Sequence, residues 1–160
     1  MFTYSCGFVI LIPTKQQTKY KVILMALDIF AMATDKEAAV KGVEKEWNGA
    51  KVVVARAQNQ EYLKYVREQY EKHRAAIEAG NKHSEEVAEH INKEAFCRYI
   101  LVGWSGFIDK DGKPFPYNLR NAKKVYDAVP DLVRDVTLMS ADDENYRIKN
   151  LKKDAEDLKK

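Results

Sequence analysis

Hydrophobic and polar positions change period several times along this chain, and each change predicts an element. Over positions 40–46 apolar and charged residues partly alternate, Asn48-Gly49 follows, and positions 50–55 resume with the valines Val52, Val53 and Val54. Alternation of period two around an Asn-Gly pair is a strong hairpin signal, because both turn residues tolerate positive φ. The unbroken valine run predicts a second strand covered on both faces. After Asn59, a candidate helix cap, Tyr62, Tyr65, Val66, Tyr70, His73 and Ile77 recur at helical spacing until Gly80-Asn81 ends the pattern. Ser84 with Glu85 and Glu86 starts a second helix that runs through Val87, Ile91 and Ala95 to about Tyr99. Together these two stretches predict a helical hairpin.

The next stretch, from Ile100 to Tyr117, is an apolar run that turns sharply. Gly103 and Gly106 release the backbone from helical geometry, Asp109-Lys110-Asp111-Gly112 supplies turn chemistry, and Pro114 and Pro116 hold the chain extended. Asn118 then caps a short helix marked by Leu119, Ala122, Val125, Tyr126 and Val129. Pro130 stops that helix and suits the first position of the next, which carries Leu132, Val133, Val136 and Met139. A last helix with Tyr146, Ile148 and Leu151 is expected to take its cap from Ser140 in Ser-Ala-Asp-Asp. The expected fold is a single α+β domain, mainly α-helical, with an N-terminal β-hairpin laid against the helical hairpin and short helices at the C-terminal end. So small a sheet needs helices or another chain to cover it.

Composition narrows the function classes. The 27 Lys and Arg barely exceed the 24 Asp and Glu and are interleaved with them, which argues against a dedicated nucleic-acid surface. Cys6 and Cys97 stand in unrelated surroundings without metal-type spacing, so a reducing compartment fits better than a disulfide framework. The apolar run at positions 8–13 is far shorter than the roughly 20 residues of a membrane helix, and the lysines follow it instead of preceding it as in a signal peptide. Residues 1–24 are read as a leader. A translated upstream region or cloning-derived extension and a genuine N-terminal strand both account for it. Residues 25–150 form the expected domain, and residues 151–160 a charged tail that frays into solvent.

Several constellations invite chemical readings. His83, Glu86 and His90 fall at offsets of three and four, so one helical face can present all three to a metal ion if the helix includes His83. The His-Glu-x-x-His spacing of zinc hydrolases is missing and no fourth ligand is evident, so the expected metal and cofactor content is none. Cys97 and His90 are a poor nucleophile and base, since seven helical residues separate them by about 10 Å. Asp109-Lys110-Asp111-Gly112 resembles the middle of a calcium loop but lacks the end carboxylates, leaving a plain turn. The tyrosines Tyr62, Tyr65 and Tyr70 among Lys64, Arg67 and Lys72 resemble a single-strand stacking face, yet Glu61, Glu68 and Glu71 dilute its charge and a core-facing stripe is expected. Trp104, Phe107, Phe115 and Tyr117 cluster around glycines and prolines. They are the candidate partner-binding residues, with Trp104 expected inward and Phe115 or Tyr117 outward.

Gly103-Trp104-x-Gly106-x-x-Asp109-x-Asp111-Gly112-Lys113-Pro114, followed by Pro116-Tyr117 and the Asn121-Ala122 helix, resembles the tail assembly chaperone family of long-tailed, siphovirus-type bacteriophages. The likeness extends upstream through positions 33–43, Trp47 to Lys51 and Val54 to Asn59, so it spans roughly 28–146. The resemblance implies a non-enzymatic protein of the infected host's cytoplasm, absent from the mature virion. Such a protein binds the tape measure protein and helps recruit tail tube subunits. It implies a contact surface around Trp104 to Tyr117 and, by ribosomal frameshifting, a longer product starting near Asn150. Asn118 and Arg120 depart from the Ser and acidic residue usual in the family; Asn118 still caps, but Arg120 sets a positive charge at the helix's positive end. An uncovered hairpin edge also allows self-association. The alternatives are a small phage regulatory or inhibitory protein that binds a host factor and, less favoured, a metal-dependent enzyme using His83, Glu86 and His90.

Overall fold

Asn48 and Gly49 both take positive φ, 50° and 81°, and make the turn that the sequence predicts. The structure is a computed structural model and describes residues 29–30 and 32–148; the leader 1–24, Cys6 and the tail 151–160 lie outside the described residues. Strands β1 (Val43–Trp47) and β2 (Ala50–Val54) run antiparallel on either side of the turn, with Trp47 opposite Ala50 and Val43 opposite Val54. The first strand starts later than the alternation suggested. Val40 belongs instead to a short helix, α1 (Lys36–Lys41), whose N-terminus is capped by the Asp35 carboxylate accepting from Glu37 N at 2.9 Å and Ala38 N at 3.0 Å. A helix of six residues is too short to show a periodic stripe.

The chief departure is a third strand. β3 (Leu101–Ser105) pairs antiparallel with β2, giving the sheet order β1-β2-β3. Gly103 lies against Val53, where an added Cβ would come within 3.3 Å of a valine methyl. Val52 and Val54 are fully buried while Val53 is half-buried, so β2 is sealed on one face and only partly covered on the other, not enclosed on both.

The expected helical hairpin forms, with two corrections. Its first limb breaks at His73 (φ −108°, ψ 17°) into α2 (Gln60–Lys72) and α3 (Arg74–Glu78). Its second limb, α4 (Lys82–Tyr99), starts at Lys82 because Asn81, not Ser84, is the cap. Asn81 and Ser84 make a reciprocal capping box: Ser84 N donates to Asn81 Oδ1 at 3.1 Å and Asn81 N donates to Ser84 Oγ at 3.0 Å. At the base of the hairpin Asn59 caps α2 by accepting from Tyr62 N at 3.0 Å. Its amide also donates to the carbonyls of Arg56 and Tyr99, both at 2.9 Å, which joins the two limbs.

Asn118 caps α5 (Leu119–Ala128) through Asn121 N at 2.9 Å, and Pro130 opens α6 (Pro130–Ala141). Ser140 caps nothing. It lies inside α6, 1% exposed, and donates to the Thr137 carbonyl, while Asp142 caps the closing 3-10 turn (Asp143–Tyr146). Tyr146 is fully buried and its hydroxyl donates to the Val54 carbonyl at 3.0 Å.

The sheet's inner face, the end of α4, α5 and α6 share one core that includes Val52, Val54, Phe96, Leu101, Leu132 and Val136. Burying each such aliphatic side chain contributes about 1.5–3 kcal/mol. Glu94 is also buried there and accepts from Arg98 Nε at 2.8 Å and from the Lys123 ammonium, tying α4 to α5. The architecture is thus α+β, mainly helical, with an N-terminal β-hairpin, as the sequence predicts.

Candidate functional site

The chain leaves β3 at Gly106, whose φ of 82° turns it beside Ala50. Asp109 then organises the loop: its carboxylate accepts from the backbone N–H of Asp111 and of Lys113, both at 2.9 Å, and its carbonyl accepts from Gly112 N at 3.0 Å. A carboxylate engaged in this way closes a turn, which agrees with the plain-turn reading. Phe115 N donates to the Phe107 carbonyl at 2.9 Å, so the loop folds back on itself and brings its aromatic residues together.

Trp104 is the hub. Its ring stacks on Phe107 (centroids 5.1 Å, 22°) and Phe115 (6.0 Å, 2°) and meets Tyr117 edge-on (5.0 Å, 88°). Its indole N–H donates to the Phe115 carbonyl at 2.6 Å, and the ring is 9% exposed. Tyr117 is not the free outward contact expected. It is half-buried, its hydroxyl donates to the Cys97 carbonyl at 2.9 Å, and burial pushes its pKa up. Phe115 is half-buried as well.

These rings support one wall of an open groove of about 560 Å³, lined mainly by Trp47, Ala50, Phe107, Phe115, Val129 and Leu132. Trp104 and Tyr117 stand behind that wall and do not line it. Two groove residues escaped the sequence reading. Ile108, 68% exposed at the mouth, precedes the Asp109 turn, and Trp47 ends β1. An isoleucine amid turn residues was the available signal for Ile108. Trp47 is fixed by its indole N–H donating to Asp135 Oδ2 at 3.0 Å, across 88 residues of sequence, and it also packs on Phe107 at 6.2 Å. That hydrogen bond, with the one from Arg134, holds the Asp135 carboxyl below its usual pKa. The groove presents apolar surface with a thin polar rim of Asn48, Asp109 and Lys110, an arrangement suited to holding an apolar side chain.

A second cleft, of about 410 Å³, lies between α2 and α4, and all three histidines of the chain, His73, His83 and His90, line it with Glu86. α4 does begin early enough to carry His83, but His83 Nδ1 stands 3.8 Å from Glu86 Oε2 with both side chains exposed. Among the described residues no three His, Cys, Asp or Glu side chains are placed to hold a metal ion. Cys97 is fully buried and burial pushes its thiol up to about 11, whereas His90 is exposed; the two form no nucleophile and base pair. Of the tyrosine stripe, Tyr65 packs on Tyr99 at 5.4 Å and Tyr62 packs on the core, leaving Tyr70 the most exposed.

Among the described residues no helix is long and apolar enough to cross a membrane. No curated protein and no solved structure matches the chain. A family model described as YdaY prophage protein matches residues 54–157, which include β3, the aromatic loop, α5 and α6. The match covers well over half of the sequence, so the chain, a phage-derived protein, belongs to the YdaY prophage protein family.

Proposed function

We propose that this prophage protein is a non-enzymatic tail assembly chaperone that holds an apolar helical segment of the tape measure protein and helps bring tail tube subunits to it. The observation that carries the reading is the open groove. The stretch that resembles the tail assembly chaperones supplies Phe107, Ile108 and Phe115 to its wall and mouth, with Trp104 and Tyr117 packed behind them. An amphipathic helix docks into such a groove through apolar residues spaced three and four apart, and covering its apolar face prevents aggregation until tube subunits replace the chaperone. On this reading the protein works in the cytoplasm of the infected host and does not stay in the virion.

The test is co-purification with the tape measure protein of the same prophage, followed by titration of its helical segments. Ile108→Asp sets a charge at the groove mouth without touching the core. It should weaken binding by roughly tenfold or more, the scale of a central interface contact. Replacing Phe115 and Tyr117 together is a poorer test, because both are packed on Trp104. Unchanged affinity in Ile108→Asp would remove the groove from the proposal, and capture of a host protein in place of the tape measure protein would favour a regulatory or inhibitory role.

A further inference from the structure

The groove has a counterpart on the same chain. None of the thirteen residues of α2 is buried, and Leu63 (44% exposed) and Tyr70 (36%) stand with half-buried Val66 at spacings of three and four. That is the a/d spacing by which a helix inserts side chains into a partner. The helix is about 20 Å long at 1.5 Å per residue, enough to lay this stripe along a groove mouth. We propose that the groove of one copy receives the Leu63, Val66 and Tyr70 stripe of a second copy.

Charge supports this occupant. The positions flanking the stripe are Gln60, Tyr62, Arg67 and Gln69, with no carboxylate among them. Asp109 and Lys110 line the groove, and behind Trp47 the α6 residue Asp135, which accepts from its indole, pairs with Arg134, as does Asp131. One cation on the flank, Arg67, therefore meets a groove surround with one more carboxylate than cation. Joining copies through the β1 edge in the antiparallel register centred on Lys45 is disfavoured on the same test, since it sets Glu44 opposite Glu46 and Lys45 opposite Lys45.

The stripe and the groove are different surfaces, so the contact is head-to-tail. It closes as a dimer if each copy fills the other's groove and otherwise runs on as a ring or filament. The inference uses the groove but not the identity of any tape measure protein. Self-docking would keep the groove covered until a competing helix displaces the neighbouring copy.

Light scattering of the full chain over a range of concentrations tests it. The mass should rise with concentration and fall back with added salt. Ile108→Asp, which spoils the groove, and Leu63→Glu, which spoils the stripe, should each weaken self-association by roughly tenfold or more while circular dichroism stays unchanged. Mixed together they should form a 1:1 heterodimer, because one keeps an intact stripe and the other an intact groove. Arg67→Glu should weaken association at low salt only. A chain that stays monomeric throughout, variants that associate like the unmodified protein, or a mixture that stays monomeric would each overturn the proposal. Leu63→Glu keeps its groove, so its binding to tape measure peptides is read separately and the two readings fail independently.

Discussion

α6 and α2 are nearly equal in length, yet α6 buries Leu132, Val136 and Ser140 while α2 buries nothing. α6 packs beside the sheet and α5, so its apolar stripe is enclosed. α2 leans mainly on α4, whose buried residues, apart from Ser84 in the capping box, lie in its second half, at Ile91 and from Glu94 to Cys97. The molecule thus divides into a body that holds its fold through a shared core and an arm that holds its shape through caps and one helix contact. An element with one neighbour keeps a stripe available to others: Leu63 and Tyr70 stand exposed on the arm, whereas on α6 the exposed Leu138 lies apart from the buried Leu132 and Val136.

The sharpest way to break this contrast is to cut equivalent leucines. Leu132→Ala should cost about 2–5 kcal/mol in urea denaturation, whereas Leu63→Ala should cost less than about 0.5 kcal/mol. Similar losses at both positions would mean the arm is as tightly packed as the body. Next in size is the junction. Asn59→Ala removes a helix cap and the side-chain donor to the Tyr99 carbonyl, while the Arg56 carbonyl keeps the Asn59 backbone N–H, a loss of about 2 kcal/mol. Hydrogen exchange should show α2 and α3 losing protection before the sheet does.

The smallest effect is electrostatic. Burial pushes the Glu94 carboxyl up, but hydrogen bonds from Lys123 and Arg98 outweigh it and leave the pKa below its ordinary 4.5. A depressed carboxylate contributes stability that is fully present above its unfolded pKa and is lost as pH falls through the lower folded value. Stability should therefore decline below about pH 4.5, and Glu94→Gln should flatten that decline while leaving Lys123 with less to hold it. An unchanged pH slope in Glu94→Gln would take this ion pair out of the account.

Local chemistry made much of the fold legible. Asn48-Gly49, the caps Asn59 and Asn118, and Pro130 act within a few residues, so the hairpin, the start of α2, α5 and α6 follow from the sequence. β3 did not follow, because its apolar run continues directly from α4 and its pairing, Lys51 with Ser105 through Val54 with Leu101, spans about half a hundred residues. The break at His73 has no Gly or Pro to announce it. The aromatic cluster was legible as a cluster, since Trp104, Phe107, Phe115 and Tyr117 are close in sequence. The groove was not, because Trp47, Val129 and Leu132 reach it from distant elements.

One joint near the ends of the described chain has a use of its own. Ile148 N donates to the Ala33 carbonyl at 3.1 Å, Thr34 and Arg147 form a bridge, and Asp35 N donates to the Tyr146 carbonyl at 2.8 Å. Entry to and exit from the described part of the chain therefore share a doorway, and none of these residues lines the groove. A short covalent link across that doorway would turn the domain into a closed loop of backbone and leave the groove mouth free.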